Sequence, residues 1–195
     1  MKADFQPTIE QLFDSPIKMR LLKFFLRNEA QEFCVLDVAK KTGCGSAEAK
    51  RHIFKLKDLG ALVRRPGKKG KPNFSLNAQF LLYPELKNLI LKSVPIPLDK
   101  LKKQVKSLGN IKFAVASGIF INEENCRIDL MIVGERINQK KLNNFVKKTE
   151  QNIGKEINYV VFSQKEFGYR QDVRDRFVRD ILDEKHEVLI QKIKV

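Results

Sequence analysis

Residues 46–76 constrain the fold of this chain more than any other segment. Ala49, Ile53, Leu56 and Leu59 recur at three- and four-residue steps, the period of a helix that buries one face. Ser46 is placed to cap that helix, and Gly60 stops it. Ala61-Leu-Val-Arg-Arg65 then alternates as a strand, Pro66-Gly-Lys-Lys-Gly-Lys-Pro72 makes a tight basic turn, and Asn73 to Leu76 returns. A helix followed directly by a hairpin is therefore expected. Within residues 46–71, nine Lys/Arg stand against only Glu48 and Asp58.

That patch belongs to a basic chain. The 195 residues carry a formal net charge of +15 and 43% hydrophobic residues, enough to fold, and the pI is about 9.8. Such an excess calls for a polyanionic partner. No apolar run reaches the ~20 residues of a membrane span, and the N-terminus lacks a signal-peptide core. Cys34, Cys44 and Cys126 are odd in number and form no Cys-x-x-Cys pair. That spacing suggests neither a disulfide framework nor a zinc site, and a cytoplasmic location is expected. His52 and His186 are too far apart in sequence to make a local ligand pair.

Val94-Pro-Ile-Pro97 divides the chain, because two prolines in four residues stop a helix and stiffen a connection. The expected class is α+β, with one domain over 1–93 and a second, a small mixed α/β layer, over 94–195. In the first, Ser15-Pro16 opens a helix to about Arg27, Val35 to Thr42 is a second helix closed by Gly43, and Tyr83 to Lys92 is a helix after the hairpin. In the second, helices are expected over Leu98–Leu108, Asn138–Ile153 and Val173–Leu182. Strands are expected over Ile111–Ala116, Ile128–Val133, Ile157–Phe162 and Glu187–Ile190. Ser163 and Glu166 form a capping box ahead of a further short helix.

The core positions of the 46–59 helix turn Ala47, Arg51, Lys55 and Asp58 outward, with Lys50 on the flank. A recognition helix reads base edges mainly near its N-terminus. Ser46, Ala47, Lys50 and Arg51 lie there; Arg51 suits bidentate contact with guanine, Ala47 suits approach to a thymine methyl, and Lys55 suits phosphate. Arg64, Arg65, Lys68, Lys69 and Lys71 on the hairpin suit phosphates or the minor groove. The turn lacks Walker spacing, so Gly67 and Gly70 are turn glycines. Phe54 is left partly outward, for packing on helix one or on a partner subunit. The segment from Asp37 through Thr42-Gly43 to Leu56-Lys-Asp-Leu-Gly-Ala-Leu-Val-Arg-Arg65 resembles winged helix-turn-helix regulators of the ArsR/MarR type, over about residues 13–80. The resemblance implies double-stranded DNA as partner, transcription regulation as function, and a homodimer on a two-fold site.

Phe113-Ala-Val-Ala-Ser-Gly-Ile-Phe120, Arg127-Ile-Asp-Leu-Met-Ile-Val-Gly134 and Gly154 to Phe167 resemble the nucleotidyltransferase superfamily, over about 108–190. Active members hold two metal ions on a Gly-Ser turn followed by two aspartates one residue apart, with a third carboxylate from a later strand. Here the turn is reversed, Ser117-Gly118, and Arg127 takes the first aspartate's place beside Asp129, with Glu156 as the candidate third carboxylate. A positive charge about 4 Å from a divalent ion costs roughly 8 kcal/mol at an effective dielectric near 20. The site is therefore expected to be vestigial, without catalytic residues, metal or cofactor, and Asp129 to be a capped carboxylate paired with Arg127 or a lysine. The domain would serve sensing of a small molecule or association with a protein. The alternatives are a Mg²⁺-dependent nucleotidyltransferase and an antitoxin-like partner-binding protein. The closely mixed arginines and aspartates of the run 167–180 are expected to form surface ion pairs; the spacing gives no support to a phosphate-binding role for Arg170, Arg174 or Arg176.

Overall fold

A computed structural model describes residues 15–67, 70–92, 96–123 and 125–194. The chain is mixed α and β and divides into two compact units, Met1–Ser93 with Lys148–Lys155, and Val94–Lys147 with Glu156–Val195.

In the first unit the order is α1 (Pro16–Arg27), β1 (Phe33–Cys34), α2 (Val35–Thr42), α3 (Ser46–Asp58), β2 (Leu62–Arg65), β3 (Asn73–Leu76) and α4 (Tyr83–Lys92). Ser15 caps α1 by accepting from Lys18 N at 3.2 Å, with proline at the first helical position. Met19, Leu21, Leu22, Phe24 and Phe25 bury one broad face of α1 against Val38 of α2, Ile53 and Leu56 of α3, and Phe74 of β3. Arg20 Nη1 donates to Thr42 O at 3.1 Å and ties α1 to the end of α2. The sheet is antiparallel in the order β1-β3-β2. β1 was not expected from sequence; it is two residues long and exists through the pairing of Phe33 with Phe74. Tyr83 Oη and Lys87 Nζ of α4 both donate to the Glu29 carboxylate, which raises the pKa of each.

Two expectations at α3 are corrected. Gly45 is the N-cap, with no side-chain cap bond, and Ser46 is the first helical residue. Leu59 is 57% exposed, because α3 ends at Asp58 and the chain turns away before a fourth core step can be made.

The second unit contains α5 (Leu98–Lys106), β4 (Asn110–Ala116), a single 3-10 turn (Gly118–Phe120), β5 (Leu130–Glu135), α6 (Gln139–Ile153, its last residues in the first unit), β6 (Tyr159–Phe162), α7 (Gln164–Asp172), α8 (Arg176–Asp183) and β7 (Glu187–Gln191). The sheet order is β6-β5-β4-β7; β5 and β6 are parallel, joined through α6, and the other pairs are antiparallel. Phe113, Val115, Met131 and Val133 alternate along β4 and β5 onto one face and pack with Phe167 of α7 and Val178 and Ile181 of α8. α5 packs on β4 and β7, and its buried Leu101 and Val105 stand outside that cluster.

Two local expectations differ here. Ser163 caps α7 by accepting from Glu166 N, but the Glu166 carboxylate turns to Arg170 at 3.0 Å, so the reciprocal half of the capping box is replaced by an ion pair. The helix expected from Val173 starts at Arg176, because Asp175 accepts from Val178 N and sets the N-terminus there. No described helix is long and apolar enough to cross a membrane.

Candidate nucleic-acid interface

α3 presents the residues its sequence period predicted. Ala47, Lys50, Arg51, Lys55 and Asp58 are exposed, Ser46 with them, while Ala49, Ile53 and Leu56 are buried. Asp58 is held by Lys57 at 3.2 Å, which leaves Glu48 as the acidic side chain near the helix start. Among the described residues no ion pair engages Lys50, Arg51, Lys55, Arg64, Arg65 or Lys71.

The hairpin is fixed to this helix at two points. Ala61 N donates to Leu56 O at 3.0 Å, and Asn77 Nδ2 donates to Gly60 O at 2.8 Å, so both strands return to the end of α3. Phe54, 37% exposed, lies edge-on to Phe74 of β3 with ring centroids 5.5 Å apart. Its partner is thus the hairpin rather than helix one. Leu62 is buried while Arg64 and Arg65 point to solvent. Next to the Arg65–Asn73 pair, a Cβ on Gly67 would collide with Lys71 O, so the close approach of the returning chain there requires glycine. Lys71 is exposed; Lys68 and Lys69 lie outside the described residues.

The field of this patch registers on a group that sequence reasoning set aside. His52 is buried on α3, its Nδ1 without a hydrogen-bond partner among the described residues. Burial, then the charges of Arg51 and Lys55, lower its pKa. A basic residue on each side of a core-facing histidine is the sequence signal that could have found it.

The chain matches no protein-family model, no curated protein and no solved structure.

In the second unit Ser117, Gly118 and Asp129 come together, but as a structural knot. Asp129 Oδ1 accepts from Ile119 N at 2.8 Å and Oδ2 from Asn158 N at 2.9 Å. Ser117, 1% exposed, donates its hydroxyl to Ile128 O at 2.6 Å. Gly118 has φ of 53° and abuts the Asp129 carboxylate so closely that any Cβ would displace it. The reversed order of serine and glycine follows: the small residue is needed beside Asp129. Arg127 does not pair with Asp129, as had been expected. Its guanidinium reaches Asp180 at 3.1 Å and stacks over Phe177, 5.9 Å from the ring centre. Glu156 is exposed, and no three His, Cys, Asp or Glu side chains gather into a metal-ligand group among the described residues. A two-metal donor set does not fit this arrangement: one ligand position is a cation held elsewhere, and Asp129 is left as a single carboxylate that ties two backbone N–H groups. Arg170 bonds Glu166 and Asp175, and Arg176 pairs with Asp180, so these arginines have local structural partners.

Proposed function

We propose that this chain is a sequence-specific DNA-binding regulator whose first unit is a winged helix-turn-helix. α3 enters the major groove and the β2–β3 hairpin meets phosphates or the minor groove. The observation that carries this is the exposed cationic row Lys50, Arg51 and Lys55, which no ion pair engages among the described residues, on a helix whose hairpin adds Arg64, Arg65 and Lys71. The element order α1-β1-α2-α3-β2-β3, with β3 in the middle of an antiparallel sheet, supports the same reading.

Within it, Arg51 reads guanine, Ala47 lets the helix approach the base edges, and Lys55 and the hairpin arginines hold the backbone. A two-fold operator would be bound by a homodimer. The second unit is a nucleotidyltransferase-like domain retained for sensing or association. The cation at the first aspartate's place, Arg127, and the structural ties that Asp129 makes to Ile119 N and Asn158 N favour this over a metal-dependent transferase.

Fluorescence anisotropy with a selected duplex and a scrambled one tests the assignment. Wild-type protein is expected to discriminate between them, and Arg51→Ala is expected to discriminate less. Equal discrimination by both proteins would remove α3 as the reading element.

A further inference from the structure

In the second unit the uncompensated positive charge stands on two helices. Within this unit α5 and α6 carry seven lysines (Lys100, Lys102, Lys103, Lys106, Lys140, Lys141 and Lys147) against Asp99 alone. α7 and α8 balance four basic residues with four acidic ones. Arg170 and Arg176 there are held in ion pairs, whereas among the described residues no ion pair engages the α5 and α6 lysines. The end of α5 and the start of α6 adjoin, since Asn138 N donates to Leu108 O at 2.9 Å. The end of α5 that carries Lys106 is thereby joined to the start of α6 that carries Lys140 and Lys141. Lys112 and Lys192 lie together in the same unit, where Lys192 N bonds Lys112 O at 2.8 Å. The nearest strand carboxylate, Glu135, is drawn away to Gln164 N at the start of α7.

We infer that this α5–α6 face is a second polyanion-binding surface, one that takes the sugar-phosphate backbone of a DNA duplex without reading its sequence. Clustered cations raise the local potential and release counterions when a polyanion docks. A phosphate backbone fits better than a lipid surface. An interfacial helix needs a free apolar face, and Leu101, Val105, Leu142, Phe145 and Val146 are buried, with Leu98 half-buried. No large hydrophobic side chain is exposed on either helix among the described residues. Asn143 and Asn144, exposed between Lys141 and Lys147, offer amide donors suited to phosphate and sugar oxygens.

The test uses the full chain and a labelled duplex of random sequence, with affinity measured from low to moderate salt. Lys103→Ala, Lys106→Ala, Lys140→Ala and Lys141→Ala are combined in one variant. Its log–log salt slope is expected to flatten by up to about 3.6, at roughly 0.9 per lost phosphate contact. The four-arginine version at the same positions keeps the charge and should keep the slope. An unchanged melting temperature verifies the fold. A second variant, Arg51→Ala with Lys55→Ala, Arg64→Ala and Arg65→Ala, disables α3 and the hairpin. In that background, residual salt-dependent binding should persist and then vanish when the four lysines are also removed. If the first surface fails its own test, the slope change of the lysine variant still reports on this one. A wild-type slope in the four-alanine variant would overturn the proposal. So would lysine-dependent binding to vesicles of anionic and neutral phospholipid with none to the duplex.

Discussion

Removing the Asp129 side chain should destabilise the second unit by about 3 kcal/mol. The carboxylate accepts from Ile119 N at 2.8 Å and from Asn158 N at 2.9 Å, joining the turn after β4 to the residue before β6. A hydrogen bond to a charged group contributes about 1.5–3 kcal/mol. Asp129 is half-buried, so the lower end applies to each bond. Gly118→Ala should cost a similar amount by another route. A left-handed φ of 53° penalises a side chain by roughly 1–2 kcal/mol, and the new Cβ pushes Asp129 Oδ1 off Ile119 N. Both substitutions remove the Ile119 bond, so the double variant should fall short of the sum by about 1.5 kcal/mol. Amide hydrogen exchange in β4 and β5 isolates the opening of this unit from that of the first. At 1.36 kcal/mol per decade, Asp129→Ala should speed exchange by about two orders of magnitude. Exchange within threefold of wild type would show that the carboxylate is not a structural tie, and would reopen it as a ligand-binding group.

Other outcomes follow from the first unit. Arg51→Ala should weaken binding to the preferred duplex by about 1–3 kcal/mol, measured by anisotropy, with no change in melting temperature. Lys71→Ala should weaken binding to every sequence alike and flatten the salt slope by about 0.9. Phe54→Ala should lose the edge contact with Phe74, about 0.5–1.5 kcal/mol beyond the loss of buried area, in urea denaturation. Because burial and the neighbouring cations lower the pKa of His52 in the folded chain, the unfolded chain takes up the proton first. Stability should therefore be intact above about pH 6.5 and fall as the pH drops below it; urea melts of wild type and His52→Gln across this range should converge at neutral pH and diverge in acid.

Elements with strong local signals were legible in the sequence. Ser15-Pro16 fixes the start of α1, Gly43 the end of α2, and the return after Pro72 the start of β3. The outward set on α3 followed from the period of its buried residues. What was not legible depends on contacts distant in the chain. β1 has no pattern of its own and is defined by Phe33 meeting Phe74. Leu59 continues the helical period, yet the turn at Gly60 leaves it in solvent. The fate of Asp129 was half visible: a capped carboxylate was expected, but the donors are backbone amides at 119 and 158, which no side-chain motif announces. Arg127 found Asp180, which lies 53 residues further along the chain. The lysines of α5 and α6 look like ordinary solvated charge until the bond from Asn138 N to Leu108 O joins the end of one helix to the start of the other.

Selection of duplexes from a random pool on the purified chain, followed by affinity against salt, tests the DNA-binding claim most directly. The proposal predicts a recovered motif, a steep negative log–log slope, and loss of motif preference in Arg51→Ala. No enrichment, with wild type and Arg51→Ala binding the pool equally, would contradict it.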